Sequence, residues 1–205
     1  MLSVGLTGGL ASGKSLVGSA LESLGCFLIK ADDLGREVQA PGGEAFPAIV
    51  NEFGSAILSP DGGIDRRLLA AQVFQNPERL QRLNSLVHPP VKARERRLRE
   101  QFARAHPDGI AVTEAAILIE TGSYRDYDKL IVAICRPEQQ IERAMARDRF
   151  TREEVLDRIH RQMPLEDKLK YADYVIDTSE SKEASLAQTR AVYESLRSLN
   201  PGAKR

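Results

Sequence analysis

The chain contains 205 residues, with 29 Lys and Arg against 29 Asp and Glu, so its formal net charge at pH 7 is zero. This balance argues against a protein that binds long nucleic acids, because such binding strengthens with the number of phosphates that basic residues neutralise. Hydrophobic residues make up 42% and charged residues 28%, a composition typical of globular rather than disordered chains. We therefore expect a folded protein with no nucleic-acid partner.

The two cysteines, Cys26 and Cys135, are far apart and show no metal-binding spacing, which favours two buried free thiols in a reducing compartment. The first residues lack the basic segment of a secretory signal. The longest clearly apolar run, Leu130–Cys135, is far shorter than the ~20 residues that span a bilayer. These features predict a cytoplasmic protein with no membrane partner.

The first thirty residues predict a strand–helix–strand unit. Leu2–Leu6 is a short apolar run that leads into a glycine turn, as a buried strand does. After Gly13, apolar residues keep helical spacing up to Leu24, and Gly25 can end that helix. Cys26–Ile29 is a second apolar run, and this order implies a parallel sheet.

The next seventy residues predict a helical insertion on the sheet. Apolar residues keep helical spacing in three stretches: Ala45–Phe53, Arg66–Phe74 and Leu80–Phe102. Asn76 before Pro77 is typical of a capped helix start. We expect His88-Pro89-Pro90 to interrupt the last helix, because proline disfavours helical geometry in the residue before it.

The remainder of the chain returns to alternating strands and helices. Strands are predicted at 110–113, 130–135 and 174–177, and helices at 137–150, 151–163, a short stretch from 164, and 181–199. The predicted fold class is α/β: a doubly wound, Rossmann-like three-layer core of about five parallel strands, with a helical insert and a helical lid.

The glycine turn carries the most specific motif, because it fits G-x-x-x-x-G-K-[ST] at every fixed position: Gly8-Gly9-Leu10-Ala11-Ser12-Gly13-Lys14-Ser15. A glycine-rich backbone can surround a phosphate with N–H groups, and the following helix adds the positive end of its dipole. Lys14 would reach the β- and γ-phosphates, Ser15 would bind Mg²⁺, and Leu16 would complete the nucleotide-binding segment. A flexible turn that contains a lysine is the alternative, which the strand–loop–helix context disfavours.

Such a loop serves kinases, GTPases and ATPases, so other residues must indicate the reaction. The sequence has no Asn-Lys-x-Asp element to recognise guanine. Asp32 follows the second strand, which we expect to lie beside the strand that carries the glycine loop. A carboxylate at that place can receive an acceptor hydroxyl, and a closing lid would exclude water from the transferred phosphate. The pattern favours a kinase.

The ordered motifs resemble the dephospho-coenzyme A kinase family over essentially the whole chain. The resemblance rests on the following residues: Gly5-Leu6-Thr7-Gly8-Gly9 with Ser12-Gly13-Lys14-Ser15, Ala31-Asp32 with Arg36, Phe74, Asn76-Pro77, Leu83-Asn84, His88-Pro89, Leu118 with Glu120, Arg143, Arg147-Asp148, Arg158-Ile159 with Gln162, and Ala172–Asp177. The glycine loop alone is generic, whereas the ordered set is specific.

The resemblance implies transfer of the ATP γ-phosphate to the ribose 3′-hydroxyl of dephospho-coenzyme A, the last step of coenzyme A synthesis. It implies ATP and Mg²⁺ as cofactors and small-molecule substrates as the partners, and we expect a monomer. Within a single kinase domain, it implies a core of residues 1–32, 105–140 and 171–205, an acceptor lobe of residues 33–104 and a lid of residues 141–170.

By the same resemblance Asp32 is the candidate general base, and four further residues are candidate substrate ligands: Arg36, Asn84, His88 and Glu120. Arg143 and Arg147 are one helical turn apart and could, with Lys14, stabilise the transferring charge. Other interpretations stay open. The two arginines could belong to an exposed basic face paired with Glu142 or Asp148, and His88 and Asn84 could pack locally.

Three positions depart from the family pattern. Lys30 replaces the first Asp of Asp-Ala-Asp and would point to the same side as Asp32 if the strand continued. Lys30 is then either tolerated or adds attraction for phosphate. Ala116 replaces a proline, so we expect the loop after that strand to be less rigid. Glu114 is the only nearby acid that could hold Mg²⁺ through water. Thr178 replaces an asparagine beside the expected adenine site.

Three rival functions remain. One is a phosphate-loop kinase for another nucleoside or small hydroxyl acceptor, which would differ in residues 33–104. Another is a nucleotide-binding regulator without phosphotransfer, which would bind nucleotide with no acceptor-dependent turnover. The third is a family member impaired by Lys30.

Overall fold

The computed structural model describes residues 1–73 and 76–199, with the backbone alone at Asp148. The chain divides into two compact units. The first unit contains Met1–Lys30 and the chain from Arg99 onward, and the second contains Ala31–Leu98. Two predicted features lie outside the described residues: the end of a helix at Phe74 and the last six residues of the predicted core.

The described part of the first unit is built on one sheet of five parallel strands. The strands are β1 (Leu2–Gly8), β2 (Phe27–Lys30), β3 (Ile110–Glu114), β4 (Lys129–Ile134) and β5 (Tyr174–Asp177). Their order across the sheet is β2-β3-β1-β4-β5, and every neighbouring pair is parallel. The prediction of a doubly wound parallel sheet of about five strands is confirmed.

The expectation that β2 lies beside β1 was wrong, because β3 lies between them. Leu2 of β1 pairs with Ile110 of β3, and Phe27 of β2 pairs with Ala111 of β3. Strand β3 is buried along nearly its whole length, whereas β2 ends in the exposed Lys30. A strand that is apolar on both faces belongs inside a parallel sheet, and a short strand with a lysine suits the edge.

The helices in chain order are α1 (Lys14–Ser23), α2 (Ala31–Val38), α3 (Phe46–Phe53), α4 (Arg66–Val73), α5 (Pro77–Ala105), α6 (Pro137–Asp148), α7 (Arg152–His160), α8 (Leu165–Leu169) and α9 (Lys182–Leu199), with short 3-10 helices at Ser55–Ile57 and Ser123–Asp126. None of the helices in the described ranges is long and apolar enough to cross a bilayer.

The core of the first unit joins α1 and α9 to the sheet. Leu21 of α1 and Leu196 of α9 are fully buried with Leu6, Ile131 and Ile176 of the strands. Each such side chain contributes about 1.5–3 kcal/mol through its removal from water. Both cysteines are buried free thiols, as predicted, and burial raises the pKa of Cys26 to about 12. This packing holds the glycine loop, which leaves the end of β1, on a rigid support.

The second unit has an apolar cluster of its own. Its buried members come from α2, α3, α4, the first 3-10 helix and the residue that precedes α3: Val38, Ala45, Ile49, Phe53, Ile57, Leu69 and Val73. The sequence reasoning missed α2, although Leu34 and Val38 are spaced by four and both are buried. This helix begins directly after β2, at Ala31.

Helix α5 runs without interruption through Pro89 and Pro90, so the predicted break at His88 was wrong. The two prolines lack the N–H groups that would bond to the carbonyls of Ser85 and Leu86, a cost of about 3 kcal/mol or more per proline. Apolar residues on both sides of the prolines pack against the second unit's cluster: Leu83, Leu86, Val87 and Val91. Tertiary packing therefore outweighs the local preference.

This interpretation predicts that Pro89→Ala raises the free energy of unfolding by about 1–3 kcal/mol, because it restores a helix hydrogen bond and removes a ring clash. Pro77→Ala is the matched control. Pro77 is the first residue of α5, where the missing N–H is not needed, so we expect a change within about 0.5 kcal/mol. Urea denaturation of both variants checks the prediction, and equal changes would contradict it.

Candidate active site

The glycine loop connects the carboxyl end of β1 to the start of α1, at the centre of the sheet. Gly13 adopts φ +86°, and Ala11 has φ +53°, a left-handed value that costs a non-glycine residue about 1 kcal/mol. The Lys14 ammonium donates to Gly9 O at 2.7 Å and to Gly8 O at 3.3 Å. The loop is thus a strained, backbone-rich segment at a helix N-terminus, an arrangement suited to bind an anion.

Thr178, at the end of β5, supports the inner side of this loop. It is 3% exposed, and its hydroxyl lies 3.1 Å from Ser12 O and 3.1 Å from Ile134 O. A Cβ on Gly13 would lie 2.7 Å from the Thr178 side chain, so only glycine fits there. Arg143 donates to the Thr178 hydroxyl at 2.9 Å and to its carbonyl at 2.8 Å.

Helices α6 and α7 contact the outer side of the loop. Ile141, Ala144 and Val155 form a small apolar cluster against which Leu10 and Ala11 pack. Just after α7, Gln162 accepts a hydrogen bond from the Leu10 backbone N–H at 2.9 Å. The conformation of the loop therefore depends on the arginine-rich helices as well as on the sheet.

The first turn of α1 meets a carboxylate from the adjacent strand. The Ser15 hydroxyl donates to Glu114 Oε1 at 2.8 Å. Glu114 Oε2 is buried and lacks a hydrogen-bond partner among the described residues. A Cβ on Gly18 would lie 2.9 Å from this oxygen, so the glycine makes room for the carboxylate. A hydroxyl beside an unsatisfied carboxylate oxygen fits a hard divalent cation such as Mg²⁺.

Residues 1–73 and 76–199 contain no group of three or more His, Cys, Asp or Glu side chains placed to hold a metal ion. A cation at Ser15 and Glu114 would therefore take its other ligands from water and from phosphate oxygens of a bound nucleotide, as Mg²⁺ commonly does.

The family comparison decides which class of protein carries this site. A family model described as CoaE, dephospho-CoA kinase, matches residues 2–183. The chain belongs to the dephospho-CoA kinase family. Membership implies a nucleotide and a small hydroxyl compound as substrates, and the family predicted from the sequence is confirmed.

Individual relatives agree with this membership over nearly their whole lengths. A dephospho-CoA kinase of Carboxydothermus hydrogenoformans is 41% identical, covering 93% of this chain and 92% of its own. The crystal structure of TT1252 from Thermus thermophilus is similar with a TM-score of 0.79 at 33% identity, covering 95% of this chain and 97% of that one. A dephospho-CoA kinase from Campylobacter jejuni gives a TM-score of 0.63 at 25% identity, covering 95% and 96%.

The candidate lid arginines of this family member differ in their surroundings. Arg143 is half-buried, and its guanidinium donates two hydrogen bonds to Thr178. Arg147 is exposed one turn further along α6. The alternative pair with Asp148 rests on a side chain outside the described residues. The geometry gives Arg143 a supporting contact to the loop and leaves Arg147 accessible.

Glu120, a candidate substrate ligand, accepts two hydrogen bonds within the first unit. Its Oε1 lies 2.8 Å from the Lys168 ammonium and 3.1 Å from the Met163 backbone N–H. Lys168 is fully buried and also donates to Ala116 O at 3.1 Å. Because the Lys168 ammonium stays buried when Glu120 is removed, we expect loss of this carboxylate to destabilise the first unit.

The other acceptor candidates belong to the second unit. Asp32 is exposed in the first turn of α2, and Arg36 pairs with Asp33 at 2.7 Å. Strand β2 ends at Lys30, so the strand alternation expected to place Asp32 and Lys30 on one side does not apply. The helix start instead favours the negative charge of Asp32 through its dipole.

Asn84 and His88 are half-buried on α5. Burial, followed by the positive charge of Lys92, lowers the pKa of His88 below its usual range. This shift favours the neutral imidazole, which can donate or accept a hydrogen bond.

Sequence reasoning missed three roles in this site. Gln162 was noted only as part of a signature, Thr178 was placed near the nucleobase, and Lys168 was not singled out at all. Thr178 faces the loop because β5 ends beside β4, which the strand order alone decides. Nothing in the sequence marks Lys168 as buried, since it lies in the short α8 between the charged Asp167 and the apolar Leu169.

The support from Thr178 generates a testable prediction. Thr178→Val keeps the shape but removes the hydroxyl, which leaves Arg143 Nη1 and the loop carbonyl without this partner. We expect a loss of about 1–3 kcal/mol in the free energy of unfolding and about tenfold weaker nucleotide binding.

Thr178→Ser is the control, because it keeps the hydroxyl and should bind nucleotide within about threefold of the unchanged protein. Thermal denaturation and calorimetric titration with nucleotide measure the two effects. Equal affinities for the valine and serine variants would contradict the assigned role of the hydroxyl.

Proposed function

We propose that the chain transfers the γ-phosphate of ATP to the ribose 3′-hydroxyl of dephospho-coenzyme A, giving coenzyme A and ADP. We propose further that it acts as a monomer in the cytoplasm. The observation that carries the proposal is the complete glycine loop with its Ser15–Glu114 pair, in a chain that the dephospho-CoA kinase family matches over residues 2–183. The loop is suited to a nucleoside triphosphate, and the family supports dephospho-coenzyme A as the acceptor.

In this proposal the nucleotide phosphates bind to the backbone N–H groups of the loop and to Lys14. The Lys14 ammonium exchanges its hydrogen bonds with Gly8 O and Gly9 O for phosphate oxygens, which carry more negative charge. Thr178 and Gln162 keep the loop in its open shape during this exchange. Preorganised donors of this kind stabilise charge without reorganising when the phosphate moves.

Ser15 and Glu114 would hold Mg²⁺. Glu114 Oε2, which is buried and lacks a hydrogen-bond partner among the described residues, would supply negative charge to the ion. Bound there, the ion would neutralise charge on the phosphates. The protein contributes the position of the carboxylate, which Gly18 makes possible, and the hydrogen bond that orients the serine hydroxyl.

Asp32 is proposed to receive the proton of the acceptor 3′-hydroxyl. Phosphoryl transfer proceeds through a loose transition state, so orientation of the hydroxyl matters more than strong deprotonation. An exposed carboxylate at the start of α2 is accessible to a substrate. We assign the acceptor lobe to residues 33–104, and Arg36, Asn84 and His88 offer donors there for an anionic, hydrogen-bonding substrate.

The lid is assigned to residues 141–170. Arg147 is accessible on α6 and can reach negative charge that develops during transfer. Arg143 and Glu120 act through their contacts: Arg143 supports the loop through Thr178, and Glu120 fixes the segment after α7 through Lys168. A lid that contacts the glycine loop can respond to nucleotide and exclude water from the phosphate.

The reaction is tested by ADP release from ATP and Mg²⁺, with and without dephospho-coenzyme A. We expect acceptor-dependent turnover that falls by about 10²–10⁴ in Asp32→Asn, because general-base residues contribute on this scale. Asp33→Asn is the matched control. It removes the neighbouring carboxylate on the same helix, whose described ion pair is the solvent-exposed one to Arg36. Arg36 keeps its own charge for the acceptor, so turnover should stay within about threefold.

Each outcome separates the rivals. Turnover with other nucleosides but not with dephospho-coenzyme A would mean a kinase for another acceptor. ATP binding without acceptor-dependent ADP release would mean a regulator or an impaired enzyme. Equal losses in the Asp32 and Asp33 variants would remove Asp32 from its assigned role.

The metal assignment predicts the effect of Glu114→Gln. The amide has the size of the carboxylate and can still form hydrogen bonds, but it carries no charge. The Mg²⁺ concentration that gives half-maximal ADP release should therefore rise about 10–100-fold. Glu183→Gln, an exposed glutamate on α9, serves as the control and should leave this concentration unchanged. A Glu114 variant with an unaltered Mg²⁺ requirement would contradict the assignment.

A further inference from the structure

Lys30 lies in register with Glu114, the carboxylate assigned to the metal. Lys30 is the last residue of β2, and its register partner in β3 is Glu114. Adjacent parallel strands are about 4.8 Å apart, and paired residues direct their side chains to the same face of the sheet. The lysine and the glutamate therefore leave the sheet side by side.

The face they share is the one that α1 covers. Leu28 lies close to Gly18 of α1, since a Cβ on that glycine would lie 3.4 Å from its side chain. Glu114 Oε2 lies 2.9 Å from the same built position. Side chains alternate along a strand, so Lys30, two residues after Leu28, also points to the α1 face.

The end of β2 places this lysine at the carboxyl edge of the sheet, the edge from which the glycine loop also emerges. Lys30 is exposed, so its ammonium is free to extend on a stem about 6 Å long. Glu114 already reaches the first turn of α1 at Ser15. From the neighbouring strand, a longer side chain can reach the space just beyond that carboxylate.

We propose that Lys30 supplies a positive charge beside the bound triphosphate, and that nucleotide binding by this chain consequently depends less on Mg²⁺ than binding by a variant with a carboxylate at this position. The inference rests on the proposed function, because it assumes that the loop binds a nucleoside triphosphate. It assigns a binding role to the residue at which the chain departs from its family's acidic pattern.

Electrostatics gives the direction of the effect. A carboxylate at residue 30 would join Glu114 in attracting a divalent cation and would repel the phosphates when that cation is absent. An ammonium does the reverse, because it attracts the phosphates directly and opposes a cation near Glu114. Near a protein surface, one unit of charge beside the nucleotide changes the affinity for that nucleotide roughly tenfold. Exchange of Lys for Asp changes the charge by two units.

The test is calorimetric titration with a non-hydrolysable ATP analogue, once with Mg²⁺ and once with EDTA. The quantity compared is the Kd in EDTA divided by the Kd in Mg²⁺. We expect this ratio to be at least about tenfold larger for Lys30→Asp than for the unchanged chain, and intermediate for Lys30→Gln. Lys182→Asp makes the same charge change at an exposed lysine of α9 and should leave the ratio unchanged.

Ratios for the unchanged chain, Lys30→Asp and Lys30→Gln that agree within twofold would overturn the proposal while leaving the nucleotide site intact. If Lys182→Asp changed the ratio by the same amount, the effect would come from net charge alone, and the proposal would again be overturned. Failure of every protein to bind the analogue in both buffers would instead refute the proposed function itself. Thermal denaturation checks that each variant is folded. If Lys30→Asp does not fold, the comparison between Lys30→Gln and the unchanged chain decides the test.

Discussion

The structure depends on holding a strained backbone loop open between β1 and α1. Left-handed residues at Ala11 and Gly13 keep the loop from closing into ordinary secondary structure, and such conformations persist only where the surroundings enforce them. Three neighbours do so: Thr178 beneath Ser12 and Gly13, Gln162 at the Leu10 N–H, and the apolar cluster of α6 and α7 against Leu10 and Ala11. The shape of this loop therefore depends on the sheet and the helices of the first unit together.

These contacts also connect segments that lie far apart along the chain. Arg143 joins α6 to the loop through Thr178, and the buried Lys168 joins α8 to the segment that follows β3. Thr7, in β1, donates to the same Ala116 carbonyl as Lys168, at 3.1 Å. Helix α6 is thus tied to the residue that follows β5, and α8 is tied to the segment that follows β3 and, through the Ala116 carbonyl, to β1.

The charges at the carboxyl edge of the sheet are arranged with opposite signs on adjacent strands. Glu114 ends β3, and Lys30 ends β2 in register with it. Chain connectivity then places Asp32 two residues later, on a helix rather than on the strand. The change from strand to helix at Ala31 therefore ends the strand alternation between the lysine and the aspartate.

The sequence by itself determined the parallel fold, the phosphate loop and the family, because strand length, helical spacing and a fixed glycine–lysine motif are local properties. It missed what depends on packing: α5 continuing through Pro89 and Pro90, β3 lying between β1 and β2, and the burial of Lys168. Only the tertiary structure decided these, since an apolar cluster can outweigh proline's local cost and strand order follows burial rather than chain order. The Ser15–Glu114 hydrogen bond joins residues 99 positions apart, and it exists because the sheet sets β3 beside β1.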